Sequence, residues 1–159
     1  MENKNLNKLG IDIGSTTVKI AVLGKNNELL FADYERHFAN IQETLQGLLE
    51  KAVTKLGEFE VYPVITGSGG LLLSKMLDLP FVQEVIANKT AIKTFMPETD
   101  VVIELGGEDA KILYLSGGLE QRMNGTCAGG TGSFIDQMSI LLKTDADGLN
   151  ALAEKHTII

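Results

Sequence analysis

A single cysteine in 159 residues rules out an internal disulfide and agrees with a reducing compartment. Positive charge is also scarce. Lysine and arginine number 14 against 21 acidic residues, the formal net charge is -7, and no basic cluster interrupts the acidity. That balance argues against nucleic acid or an anionic membrane as a main partner. No apolar run approaches the roughly eighteen residues of a membrane-spanning helix. The polar start Met1-Glu2-Asn3-Lys4-Asn5 has no apolar signal-peptide core. A cytoplasmic protein is expected. Low-complexity linkers are missing too, and with 44% hydrophobic residues the chain can bury one substantial core and part of another.

What the chain does contain is a pattern that occurs twice. Asp12-Ile13-Gly14-Ser15-Thr16-Thr17-Val18-Lys19 returns as Glu104-Leu105-Gly106-Gly107-Glu108-Asp109-Ala110-Lys111, with acid, glycine and lysine at the same offsets. Leu9, Ile11 and Ile13 alternate before the first copy, and Val18, Ile20 and Val22 after it. Val101-Val102-Ile103 and Ile112-Leu113-Tyr114-Leu115 flank the second. Each copy is therefore predicted to be the tip of a β-hairpin. Glycine at such a tip lets the backbone approach a ligand closely, and successive N–H groups there can cradle phosphate oxygens. A carboxylate at each tip suits Mg²⁺, which is commonly held by one or two carboxylates together with substrate phosphates and waters. Two such hairpins facing one another would grip the phosphate chain of a nucleotide.

The remaining elements are readable in outline. Strands near 8–13, 17–23 and 28–36 form a meander, and Ile41, Leu45, Leu48, Leu49, Ala52, Val53 and Leu56 mark one face of a helix ended by Gly57. Val61–Thr66 reads as a strand leading into Gly67-Ser68-Gly69-Gly70 and a short helix to about Leu77. Pro80 closes that segment, and a helix from about Gln83 to Phe95 stops before Pro97. Beyond the second hairpin come a strand near Leu119–Met123 and a turn at Asn124-Gly125. A helix capped by Thr131 or Ser133 and reaching Leu142 follows, then one from about Leu149 to His156 capped by Asp145 or Asp147. Thr157-Ile158-Ile159 ends the sequence on β-prone apolar residues, so the chain is expected to be a fragment of a longer protein.

Several residues could carry chemistry. Asp12 could simply cap a turn, but with Gly14, Ser15, Thr16 and Thr17 it places a carboxylate, hydroxyls and amides in one hairpin, which favours phosphate and Mg²⁺ binding. Lys19 reads equally as a solvated strand residue, although its repeat at Lys111 fits a phosphate role. In the second copy Gly106, Gly107 and Glu108 are the cofactor-binding candidates. Asp109 and Glu104 join Asp12 as catalytic candidates, with Asp12 and Asp109 the Mg²⁺ ligands. Cys127 precedes Gly129-Gly130-Thr131-Gly132 and an apparent helix start, where unpaired N–H groups stabilise a thiolate. A lone cysteine is nevertheless more often a small buried side chain. His37 and His156 have no metal-ligand company and read as ordinary.

Two phosphate hairpins in a strand–strand–strand–helix–strand–helix plan resemble the superfamily of actin, sugar kinases and heat-shock chaperone ATPases. The fold this implies is α/β: a ribonuclease-H-like mixed sheet with flanking helices. Residues 1–97 would form the first actin-like ATPase domain and 98–159 the start of a second, truncated one. The chain is more narrowly similar to the activator ATPases of 2-hydroxyacyl-CoA dehydratases and the related ATPase subunits of benzoyl-CoA reductase. The matching segments are Asp12–Lys19, Thr66-Gly67-Ser68-Gly69, Glu104–Asp109 and above all Asn124-Gly125-Thr126-Cys127-Ala128-Gly129-Gly130-Thr131-Gly132-Ser133-Phe134. Glu104 and Glu108 depart from the aspartate and glutamine usual in that family.

The resemblance implies ATP and ADP as ligands. It also implies a homodimer with one [4Fe–4S] cluster at its interface, and hydrolysis that drives a low-potential electron into a dehydratase partner. Cys127 matches the first of two cluster cysteines per subunit, and the second would fall beyond Ile159, as would the segment that holds adenosine. Glu84 lies in a stretch similar to a family loop near the ATP cleft. Two other function classes use the same hairpins: a sugar-type small-molecule kinase, with an aspartate base beside an acceptor hydroxyl, and a nucleotide-dependent sensor with little turnover.

Overall fold

A computed structural model describes residues 6–125 and 129–157. The chain divides between Glu98 and Thr99 into two compact units.

The first unit is built on a mixed four-stranded sheet. Strands β1 (Asn7–Ile13), β2 (Thr17–Leu23) and β3 (Leu29–Arg36) form the antiparallel meander. After helix α1 (Ile41–Leu56), strand β4 (Val61–Thr66) joins β1 in parallel, giving the order β3-β2-β1-β4. Alternation explains the core: Leu9, Ile11 and Ile13 of β1, with Val18, Ile20 and Val22 of β2, are buried on one face. Against that face α1 packs Leu45, Leu48 and Ala52. Full burial of Leu48 is worth about 1.5–3 kcal/mol relative to exposure.

Val53, expected on the same stripe of α1, is instead 47% exposed. One residue advances about 100° around a helix, so Val53 leaves the line set by Leu45, Leu48 and Ala52. Lys51 ties α1 to β3 through ion pairs with Asp33, at 3.0 Å, and Glu35. Its hydrogen bond holds the Asp33 carboxyl below its ordinary pKa. Pro63 costs no ladder bond on its outer side, because β4 is an edge strand. Helices α2 (Gly70–Leu77) and α3 (Glu84–Phe95) complete the unit.

The second unit has an antiparallel sheet of β5 (Val101–Leu105), β6 (Ala110–Tyr114) and β7 (Glu120–Met123), in that order. Helix α4 (Gly132–Leu141) begins after Thr131 as expected, yet the Thr131 side chain makes no capping bond. The last helix, α5, spans Ala146–Ala153, starting earlier and ending sooner than the sequence suggested. The reason is the Asp145 carboxylate, which accepts the Gly148 N–H at 2.8 Å and so caps the helix ahead of Asp147. Cys127 and the terminal Ile158-Ile159 pair, singled out above, lie outside the described residues.

Candidate functional site

Both repeats are hairpin tips with the same turn. The Gly14 N–H donates to Thr17 O at 2.9 Å, and at the same offsets the Gly106 N–H donates to Asp109 O at 2.9 Å. In each hairpin the register places the acid opposite the lysine, Asp12 across from Lys19 and Glu104 across from Lys111. Lys19 Nζ lies 2.8 Å from Asp12 Oδ2. Lys111 Nζ contacts Glu104 Oε1 at 3.4 Å and Asp109 Oδ2 at 3.2 Å. The two lysines differ in environment, because Lys111 is buried and Lys19 is exposed. Ser15 is exposed and Thr16 and Thr17 are half-buried. No hydrogen bond among the described residues uses the Ser15 or Thr16 N–H, which leaves both amides available to an anion.

The first tip is held from two sides. On one, Gly69 N–H donates to Ile13 O at 2.9 Å. Gly67, at φ 93°, comes so near that a Cβ on it would collide with Ile13 O and lie 2.5 Å from Asp12 Oδ1. Only glycine tolerates both that backbone angle and that approach. Glu84, at the start of α3, accepts the Ser68 N–H at 3.0 Å and steadies this glycine loop. On the other side His37 contacts both Gly14 and Thr16. Sequence reasoning missed His37, since nothing in its own neighbourhood marks it and its partners lie more than a strand away.

The second tip is held by the start of α4. Gly132 N–H donates to Gly106 O at 3.0 Å and Ser133 N–H to Gly107 O at 2.8 Å, so first-turn amides of the helix are satisfied by the hairpin. This accounts for Thr131 being spared as a side-chain cap.

Among the described residues no cluster of three or more His, Cys, Asp or Glu could hold a metal unaided. Magnesium needs less, because nucleotide phosphates and waters supply most of its oxygen ligands. Each hairpin by itself carries a donor of that kind, Asp12 in the first and Glu104 and Asp109 in the second. Thr66, in register with Asp12, adds a buried Oγ1 with no partner among the described residues. A buried hydroxyl of that kind usually has a protein or water partner, so Thr66 Oγ1 has a hydrogen bond left to make.

Residues 9–157 match the BadF/BadG/BcrA/BcrD ATPase family. The chain belongs to this family. It is 32% identical to the 2-hydroxyisocaproyl-CoA dehydratase activator of Clostridioides difficile over 91% of its own length and 56% of the relative's. To the activator of lactoyl-CoA dehydratase of Anaerotignum propionicum it is also 32% identical, covering 94% of this chain and 59% of the relative. In structure it is similar to the activator of the 2-hydroxyisocaproyl-CoA dehydratase from Clostridium difficile with bound ADPNP. The TM-score is 0.81 and the identity 28%, over 96% of this chain and 58% of that one. The fold is thus the α/β arrangement of actin-like ATPases, and the chain spans between 56% and 59% of the length of these family members.

Proposed function

We propose that this chain is the phosphate-binding part of an ATP-hydrolysing activator. The full-length protein would drive a low-potential electron into a partner of the 2-hydroxyacyl-CoA dehydratase type. One observation carries this reading: the same acid–glycine–lysine hairpin, closed by the same turn bond, stands in both units of a member of this ATPase family. The unbonded amides at Ser15 and Thr16, the hydroxyls of Ser15, Thr16 and Thr17, and the Gly106–Glu108 turn bind phosphate oxygens. Asp12 in the first unit and Asp109, with Glu104, in the second would each offer a carboxylate to Mg²⁺. The ion, when bound, neutralises charge on the phosphates. Ion binding at Asp12 would compete with Lys19, whose ammonium would then be free to meet phosphate.

Cys127 supplies one thiolate to a [4Fe–4S] cluster shared across a homodimer in the cytoplasm. Such a cluster, when bound, holds the transferable electron. A thiolate is the right donor for iron, and the remaining ligands come from the second subunit and from sequence beyond these residues. What the chain itself contributes is nucleotide grip and a direct connection within the second unit. Gly106 and Gly107 bond to the first residues of α4, which begins shortly after Cys127, so a phosphate that shifts this turn also shifts that helix start.

The test is to purify the full-length protein without oxygen and measure ATP hydrolysis, iron and acid-labile sulfide. ATP turnover together with about four irons per dimer is expected. A protein that binds no iron yet phosphorylates a small molecule would be a kinase.

A further inference from the structure

His37 belongs to neither hairpin, yet it makes two hydrogen bonds to the first. Its backbone N–H donates to Thr16 O at 3.1 Å, and its ring Nε2 lies 3.2 Å from Gly14 O. The other ring nitrogen, Nδ1, accepts the Ala39 N–H at 3.1 Å. An amide N–H can only donate, so Nδ1 carries the lone pair. Nε2 carries the proton and donates it to Gly14 O. The side chain is buried, and the next two residues, Phe38 at φ 43° and Ala39 at φ 68°, occupy the left-handed region that non-glycine residues rarely adopt. The chain thus bends sharply just where it presents this ring.

We infer that His37 is a positioning residue for phosphate binding: it pins the Gly14 and Thr16 carbonyls inward and thereby aims the amides of the first loop at the nucleotide. In a trans peptide the C=O and the following N–H point in opposite directions. Holding Gly14 O on the ring therefore turns the Ser15 N–H away from His37, and holding Thr16 O does the same for the Thr17 N–H. Glycine at position 14 would otherwise let the Gly14–Ser15 peptide rotate at little cost and present its carbonyl, with its negative end, to the phosphates. In the second hairpin the corresponding carbonyl, Gly106 O, is pinned by the Gly132 N–H, so each unit solves the same problem with a different donor. The inference rests on the nucleotide-binding reading given above.

Two amide side chains separate the functions of the ring. In the full-length protein, His37→Gln places a donor near the position of Nε2, whereas His37→Asn places an acceptor near Nδ1 and leaves Gly14 O unpinned. His37→Phe keeps the ring and removes both. Dissociation constants for MgATP should rise about tenfold in H37N and H37F, equivalent to one lost hydrogen bond, and stay within about threefold of wild type in H37Q. Long-range ¹H–¹⁵N spectra without nucleotide should show a neutral Nε2–H tautomer whose signals vanish in H37F. Equal affinity of H37N and H37Q, unchanged affinity in H37F, or an Nδ1–H tautomer in a wild type that binds MgATP overturns the positioning role alone. A wild type that shows the expected tautomer but binds no MgATP overturns the nucleotide reading, and the role with it.

Discussion

Lys111 Nζ lies buried 3.2 Å from the Asp109 carboxylate, while its counterpart Lys19 reaches Asp12 at 2.8 Å from an exposed position. The repeats thus share a pattern but not an electrostatic setting. Lys111 neutralises two carboxylates, Glu104 and Asp109, where solvent does so poorly. Lys19 pairs with one carboxylate that water can also solvate.

Removing the two ammonium groups should therefore have unequal effects. Lys111→Met leaves two facing carboxylates without their counter-charge and should destabilise the folded protein by about 1–3 kcal/mol, less than a fully buried pair because both acids keep some water. Lys19→Met should cost under about 1 kcal/mol. Urea unfolding of both variants measures the difference. Added Mg²⁺ should recover part of the loss in K111M, and equal losses in the two variants would show that burial of Lys111 does not matter.

Asp12→Asn or Asp109→Asn should abolish ATP turnover in the full-length protein while leaving its melting temperature close to wild type, since each removes charge with little change of volume. Thr16→Val and Thr17→Val should each weaken nucleotide binding by roughly 1–2 kcal/mol. Steady-state hydrolysis and calorimetry check these; normal turnover in both asparagine variants excludes the assignment.

Gly67→Ala tests the close approach of the glycine loop to the first hairpin. The added methyl meets Ile13 O at a residue whose φ of 93° already disfavours a side chain. A destabilisation of about 2–4 kcal/mol is expected from the combined strain and collision, with nucleotide affinity falling as the Asp12 carboxylate is pushed aside. A stable, fully active G67A protein would mean that the loop yields easily.

Cys127→Ser in the full-length protein should lose the iron chromophore and electron delivery but keep at least part of its ATP hydrolysis, because the thiolate takes no part in phosphoryl chemistry. Iron content by colorimetric assay and phosphate release settle the two halves separately. Retained iron at the wild-type level would remove Cys127 from the ligand set.

Much of this could be read in one dimension. Strand alternation around Asp12–Lys19 fixes the first hairpin because its apolar residues face the core, whereas β5 and β6 were read from the unbroken apolar runs Val101-Val102-Ile103 and Ile112–Leu115, of which Ile103 is largely exposed. Helix ends were less legible: α5 starts at Ala146 because Asp145, one of the two candidate caps, is the one whose carboxylate reaches an amide. The buried face of α1 was drawn too wide at Val53, since periodicity gives the direction of a stripe but not its width.

The sequence by itself determined the two hairpins, their order along the chain and the residues at their tips, because these follow from local apolar patterning, glycine and spacing. Only the tertiary structure decided what holds the tips. His37, Gly67 and Gly69 reach the first turn from elsewhere in the chain, and Gly132 and Ser133 reach the second. Tertiary structure also buried Lys111 while leaving Lys19 exposed. Hydrogen bonds between distant segments and the withdrawal of a charge from water depend on which surfaces pack together, and no spacing of residues along a chain encodes that directly.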